Sequence, residues 1–174
     1  MIEKAREFAV MRHGDQKYGD LTYSVHLDAV AEIAKEYGDV AAAIAYLHDV
    51  VEDTDASVGD VEAEFGKLIA DCVSILTDEP GENREQRKSK TYAKMAAVSG
   101  PTELALVVKA ADRLANMRCC LAEDNRRLLN IYRKEYPVFR ESAYRQGACD
   151  PIWDELDGIN DSWQGRVCER LYER

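Results

Sequence analysis

Residues 40–47, Val-Ala-Ala-Ala-Ile-Ala-Tyr-Leu, carry no charge on any face, and the six residues that follow, His48-Asp49-Val50-Val51-Glu52-Asp53, carry four ionisable side chains. A helix that is apolar all round belongs at the centre of a protein. A helix from Val40 to about Val51, with Asp39 as its N-cap, therefore delivers these groups to the mouth of a core. At helical spacing His48 pairs with Glu52 and Asp49 with Asp53, each four residues apart. Burying such groups without partners is costly, and a divalent cation supplies the compensating charge.

Apolar residues recur at helical spacing along almost the whole chain, without alternating β patterns or a βαβ rhythm. This predicts an all-α, single-domain helical bundle over residues 1–174, with a motif-bearing core over about 5–125 and C-terminal helices over 126–174. Ile2, Ala5, Phe8 and Ala9 mark a first helix, and His13 to Thr22 reads as a polar loop. A second helix runs from about Tyr23 to Tyr37, with Val25, Ala29, Ile33 and Tyr37 as its stripe and Gly38 as its stop. Ser57 with Asp60 resembles a capping box, and Thr77 to Asn83 reads as a long loop. Leu104, Val107, Val108, Ala111, Leu114 and Ala115 carry a long buried helix. Two helices, near Glu123 to Lys134 and Pro137 to Gln146, precede a last one opened by Asp150-Pro151 and patterned by Ile152, Leu156, Ile159, Trp163, Val167 and Leu171.

The formal net charge of −10 argues against nucleic acid as a partner, since phosphate backbones are held by surplus Lys and Arg. A phosphate-bearing ligand then needs a metal or a local basic patch, and the run Arg84, Arg87, Lys88 and Lys90 offers the patch. The charged N-terminus has no apolar signal region, and no stretch approaches the roughly 20 apolar residues of a membrane span, so the expectation is a soluble, cytoplasmic protein without a membrane partner. Cys72, Cys119, Cys120, Cys149 and Cys168 lack CxxC spacing and are read as reduced thiols.

A neighbouring His and Asp cannot complete a metal shell alone. His26 and Asp112 each interrupt an apolar helical face and are the further candidates. Two imidazoles with two carboxylates suit Mn²⁺, Fe²⁺ or another octahedral ion that keeps water positions, and suit a structural Zn²⁺ site less well. Spacing alone leaves a second reading open, in which each is a hydrogen-bonded core residue or ion-pair partner.

Three segments in order, Y-x-x-H at Tyr23 to His26, H-D-V-V-E-D-T at His48 to Thr54 and K-A-A-D-R-L-A-N-M-R at Lys109 to Arg118, resemble the HD-type hydrolase domain of Rel/SpoT-like alarmone enzymes. Ala5, Phe8, Ala9, His13 and Gln16 resemble that family's opening A-x-x-F-A-x-x-x-H-x-x-Q, and Glu64-Phe65-Gly66 with Leu76-Thr77 its F-G and V-T segment. The likeness spans roughly residues 5 to 118, and the absence of room for a synthetase domain makes the small stand-alone hydrolases the nearest match. The resemblance implies a metal-dependent enzyme that removes the 3′-pyrophosphate of ppGpp or pppGpp. It implies His26, His48, Asp49 and Asp112 as manganese ligands, with another divalent metal as the alternative, and Glu52 and Asp53 as a catalytic acid pair. Either acid would orient or deprotonate the attacking water; the alternative for both is hydrogen-bonded support of His48 or of a coordinated water.

Asn116, one turn after Asp112, matches a family residue that contacts the nucleoside. Lys17 and Tyr18 fall where the family often carries a basic pair flanking guanine, so the aromatic second position is a departure that bears on base preference. Lys88, with Arg84 and Arg87, is the candidate holder of terminal phosphates; the alternative is a solvated helix face. The residues beyond about 125 match the family motifs poorly and either cap the bundle or form a homodimer surface. Two other functions compete: an HD phosphohydrolase of another nucleotide, such as adenosine alarmones or the 2′-phosphate of NADPH, and a non-catalytic nucleotide-sensing module.

Overall fold

In chain order the elements are α1 (Ile2–His13), β1 (Lys17–Tyr18), β2 (Leu21–Thr22), α2 (Ser24–Ala34), α3 (Asp39–Leu47), α4 (Val50–Asp53), α5 (Val58–Phe65), α6 (Lys67–Leu76), α7 (Arg84–Ala96), α8 (Leu104–Ala122), α9 (Arg126–Ala143) and α10 (Asp150–Tyr172). This computed structural model describes the backbone of residues 1–172 and the side chains of residues 1–161. The side chains of Trp163, Val167, Cys168 and Leu171 lie outside the described residues. The all-α expectation holds, and no helix among the described residues is long and apolar enough to cross a membrane.

The centre is α3, as its composition requires: Ala41 through Ala45 and Leu47 are buried, and the helix packs against α1, α2, α6 and α8. Beside it α8 buries residues from Ala105 through Ala115 almost continuously, including the charged Lys109, Asp112 and Arg113. A single core cluster runs from Ala5 in α1 to Leu156 in α10.

Several elements differ from the sequence expectations. The loop after α1 contains a two-stranded antiparallel hairpin pairing Lys17 with Thr22 and Tyr18 with Leu21, turned by Gly19 at φ 60°. On α2 the buried stripe is Leu27, Val30, Ala31 and Ala34, while Val25 and Ala29 face out. That stripe has the same helical period as the expected one, and it is the one that turns His26 inward. Gly38, at φ 108°, caps α3 in place of Asp39, which is the first helical residue. The α3 helix stops at Leu47, and α4 is a separate turn beginning at Val50. Ser57 and Asp60 form the expected capping box on α5.

Pro137 does not end a helix: α9 runs through it. An interior proline removes one ladder hydrogen bond and costs about 3 kcal/mol. Burial on both sides offsets this, because Tyr136 and Phe139 pack on Trp153 of α10 with ring centroids 6.4 and 5.2 Å apart. Glu123 and Asp124 form the turn between α8 and α9, with Asp124 at φ 50°, and the Asn125 side chain caps α9 by accepting from the Leu128 N–H at 3.2 Å.

One buried ion cluster ties α7, α8 and α9 together. Arg113, 4% exposed, donates to the Tyr92 hydroxyl at 2.9 Å and to Glu135 at 3.0 Å, and its guanidinium lies over the Tyr132 and Phe139 rings. Arg84 grips the same carboxylate at 2.7 and 3.2 Å. Burial alone would raise the Glu135 carboxyl, but the Arg84 hydrogen bond and the two guanidinium charges hold it below its ordinary value. A depressed carboxylate stabilises the fold above its unfolded pKa, about 4.3, and loses that contribution as pH falls through the folded value. Glu135→Gln, which leaves Arg113 buried without its counter-charge, is expected to lower the unfolding free energy at pH 7 by about 3 kcal/mol. In urea melts the gap between wild type and variant should begin to narrow below about pH 4 and go on narrowing as the pH falls further; a gap that is independent of pH refutes the charge argument.

Candidate metal centre and catalytic cleft

The break between α3 and α4 sets the site. After Leu47 the chain turns through His48 and Asp49, the latter at φ −104° and ψ −1°. His48 is thereby left 1% exposed, with Asp49 beside it at the start of α4. The α2 helix brings His26, 4% exposed, and α8 brings Asp112, 8% exposed, to the same point.

Their donor atoms converge. His26 Nε2 and His48 Nε2 are 3.3 Å apart, and Asp49 Oδ2 lies 3.0 Å from His48 Nε2 and 3.8 Å from His26 Nε2. Asp112 Oδ1 lies 3.5 and 3.8 Å from the same two nitrogens. Ligands at adjacent positions around an ion with bonds of about 2.1 Å are themselves about 3 Å apart, so the set fits a divalent cation. Among the described residues, His26, His48 and Asp49 form the tight group whose ligand atoms all lie within 4.8 Å of one another, and Asp112 stands at its edge.

The tautomer of His48 agrees. Its Nδ1–H donates to the Ala45 carbonyl at 2.6 Å, which turns Nε2 to the centre, able to ligate a cation or, when protonated, to donate to Asp49. Burial would push His48 down, yet the Asp49 charge and hydrogen bond and the Asp112 charge raise it to about 9. Burial would likewise raise both carboxyls, but His48 holds Asp49, and Lys109 with His26 holds Asp112, below the usual carboxylate range. The centre therefore demands positive charge, as a proton or as a metal.

Other side chains fix the carboxylates. The Tyr23 hydroxyl donates to Asp49 Oδ2, and Lys109 Nζ sits 3.0 Å from Asp112 Oδ2. Asn116 Nδ2 donates to Asp112 Oδ1 at 2.5 Å, while its Oδ1 accepts from the Tyr18 hydroxyl at 2.8 Å. Both ends of the Asn116 amide are thus engaged within the protein. The Tyr18 ring is stacked on His26, centroids 4.8 Å apart and planes at 17°.

A cleft of about 190 Å³ opens over these donors, walled by Glu52, Arg84, Lys88, Lys109, Arg113 and Tyr132 among others. Burial raises the Glu52 carboxyl, which accepts from the Asp78 N–H at 3.0 Å. Lys88 reaches the wall but is held by Asp78 at 2.8 Å, as Arg84 is held by Glu135. Asp53, Lys17 and Arg87 do not line the cleft. Asp53 is exposed and accepts from Gln16, Lys17 is exposed on β1, and Arg87 packs on the Gly81 backbone.

Sequence reasoning did not single out Lys109, Arg113 or Tyr132 as site residues. A lysine three residues before Asp112 on an apolar helical face was a readable signal for the first. Tyr132 arrives from α9, where no motif marks it.

Added divalent ion is expected to stabilise the wild-type protein by about 2.7 kcal/mol at a hundredfold excess over its dissociation constant. In thermal melts the stabilisation should vanish in Asp49→Asn and His48→Ala; an equal shift in those variants would place the ion elsewhere.

The HD domain family profile matches residues 5–149. A relative from Synechocystis, named a probable guanosine-3′,5′-bis(diphosphate) 3′-pyrophosphohydrolase, is 34% identical over 164 residues, which cover 90% of this chain and 21% of the relative. A relative from Brucella suis, named GTP pyrophosphokinase rsh, is 32% identical over 187 residues, 99% of this chain and 24% of the relative. The chain thus spans less than a quarter of the length of these curated relatives. Among solved structures, one described as a metazoan ortholog of SpoT that hydrolyzes ppGpp superposes with a TM-score of 0.68 at 25% identity, covering 89% of this chain and 94% of that one. A Listeria monocytogenes structure shares the fold at a TM-score of 0.66 and 21% identity, covering 78% of this chain and 93% of that one.

Proposed function

The chain belongs to the HD-domain family, and from that premise we propose that it is a metal-dependent phosphohydrolase that removes the 3′-pyrophosphate of ppGpp or pppGpp. The observation that carries this reading is the convergence of His26, His48, Asp49 and Asp112 beneath a cleft walled by Lys88, Lys109 and Arg84 in a protein of net charge −10. The substrate is that named for the Synechocystis relative and for the metazoan SpoT ortholog, both similar to this chain.

In this reading the four side chains hold the ion, Mn²⁺ by the family resemblance. When bound, a divalent ion supplies Lewis acidity toward water and toward a phosphoryl oxygen. Glu52 is the acid-base group. It faces the cleft, and the burial that raises its carboxyl suits it to take a proton from water at neutral pH. The bond that breaks joins phosphorus to the ribose 3′-oxygen, which takes up a proton as pyrophosphate leaves; Glu52 is the group placed to return it. Lys109, fully buried against Asp112, holds fixed positive charge at the floor, where charge develops on the phosphate. Lys88 and Arg84 receive the pyrophosphate by exchanging Asp78 and Glu135 for phosphate oxygens.

Asn116 and Tyr18 both line the cleft, and contact of the Asn116 amide with the nucleoside would displace its bond from the Tyr18 hydroxyl. The aromatic Tyr18 makes base preference the open variable, and a nucleotide panel reads it directly.

Purified protein supplied with Mn²⁺ should convert ppGpp to GDP and pyrophosphate, and chelation should stop the reaction. Glu52→Gln is expected to lower kcat by about 10²- to 10⁴-fold with little change in KM. Turnover that survives Glu52→Gln or metal removal defeats the mechanism. A preference above about tenfold, about 1.4 kcal/mol in the barrier, for an adenosine alarmone or NADPH moves the assignment to that substrate.

A further inference from the structure

The two adjacent acids at the end of α4 do different things in this fold. Successive residues of a helix project about 100° apart, so neighbours cannot share one face. Glu52 takes the cleft side. Asp53 points away from it and accepts a hydrogen bond from Gln16 Nε2 at 2.9 Å.

Gln16 is itself oriented. Its Oε1 lies 2.8 Å from His13 Nδ1. A carboxylate only accepts, so the NH₂ end of the amide must face Asp53, and Oε1 must accept from a proton on His13 Nδ1. His13 is 6% exposed and its ring is stacked on Tyr23, centroids 4.5 Å apart and planes at 24°. The Tyr23 hydroxyl donates to Asp49, and the Asp53 N–H donates to the Asp49 carbonyl at 2.9 Å. Contacts therefore close a circuit from Asp53 through Gln16, His13 and Tyr23 to Asp49. The β1–β2 hairpin is strung across it, since the Tyr23 N–H donates to the Gln16 carbonyl at 3.0 Å. That hairpin carries Tyr18 over His26.

We propose that Asp53 is an anchor rather than a proton-transfer group, and that Gln16, oriented by His13, is the positioning residue that locks the hairpin and Asp49 in place. Without this tie the hairpin keeps its short ladder, the Tyr18 contacts and the backbone bonds of Gln16, but loses the side-chain link from Gln16 to α4. Asp49 would keep its place in the chain but lose the ring that backs its Tyr23 donor. The kinetic part of this proposal rests on the phosphohydrolase reading above; the structural part does not.

Three variants separate anchor from base. Asp53→Asn keeps an oxygen that accepts from Gln16 but cannot take a proton, Asp53→Ala removes both properties, and Gln16→Ala removes the donor. Hydrogen exchange of the backbone amides over residues 17–23 in the metal-free protein reads the circuit without any activity. Exchange there should quicken about tenfold in Asp53→Ala and in Gln16→Ala, stay at the wild-type rate in Asp53→Asn, and be no faster in the double alanine variant than in either single one. In turnover, Asp53→Asn should retain at least about a tenth of wild-type kcat with an unchanged pH profile, while Asp53→Ala and Gln16→Ala fall together by about 10²-fold. Asp53→Asn as inactive as Asp53→Ala overturns the proposal, and so does hairpin exchange that is the same in all variants. Wild-type protein that hydrolyses no nucleotide refutes the functional reading instead, and the exchange experiment still decides the circuit.

Discussion

Two buried imidazole nitrogens 3.3 Å apart, flanked by the carboxylates of Asp49 and Asp112 at the floor of a cleft, draw positive charge to one point. The bundle is arranged around that demand. Three separate segments converge on one point: α2 with His26, the α3–α4 break with His48 and Asp49, and α8 with Asp112. Each segment is anchored by apolar burial on its other faces. The price of assembling four polar groups in a core is met by the near-continuous packing of α3 and α8, whose alanines let the backbones approach closely. A small-residue helix at the centre is what lets donor atoms from neighbouring segments meet at one point.

The same logic governs the cations. Lys109, Lys88 and Arg84 reach the cleft, and each is countered by a carboxylate: Asp112, Asp78 and Glu135 respectively. A bare buried ammonium or guanidinium would be driven to neutralise or to leave. Pairing keeps the positive charge in place before ligand arrives, and an incoming phosphate can take over the same donors. In the phosphohydrolase reading proposed above, this is how a chain of net charge −10 would hold a polyanion without a basic surface.

What was legible in the sequence follows from which interactions are local. The apolar run 40–47, the capping box at Ser57 and Asp60, and the long buried helix around Asp112 depend on neighbours within a turn, and all three are found in the fold. The four donors were legible because ionisable groups on apolar faces have few alternatives, and the structure brings them together. The stripe of α2 was misread because two overlapping helical stripes share that segment, and only the contact with α3 chooses between them. Pro137 was misread as a stop because its local cost is plain in the sequence, while the packing of Tyr136 and Phe139 on Trp153 that outweighs it is not. Tyr132 and Glu135 reach the cleft and its ion cluster from α9, and no periodicity within α9 announces that neighbour.

The break at His48-Asp49 matters most for the chemistry. In an uninterrupted helix His48 would sit over Glu52 and Asp49 over Asp53, and each acid would spend its charge on the ligand one turn away. Ending α3 at Leu47 and restarting at Val50 redirects the axis, so that His48 stays in the core while Glu52 meets the cleft and the Asp78 N–H instead of His48. Desolvation at the cleft, with the Asp78 and Asp49 charges, then outweighs the Asp78 N–H bond and the Lys109 charge and raises the Glu52 carboxyl. Asp53, rotated out by one residue, meets Gln16 in the exposed flank. One irregular pair of residues in an otherwise helical chain thus sends four similar groups to different surroundings: His48 and Asp49 to the convergence of donors, Glu52 to the cleft and Asp53 to Gln16.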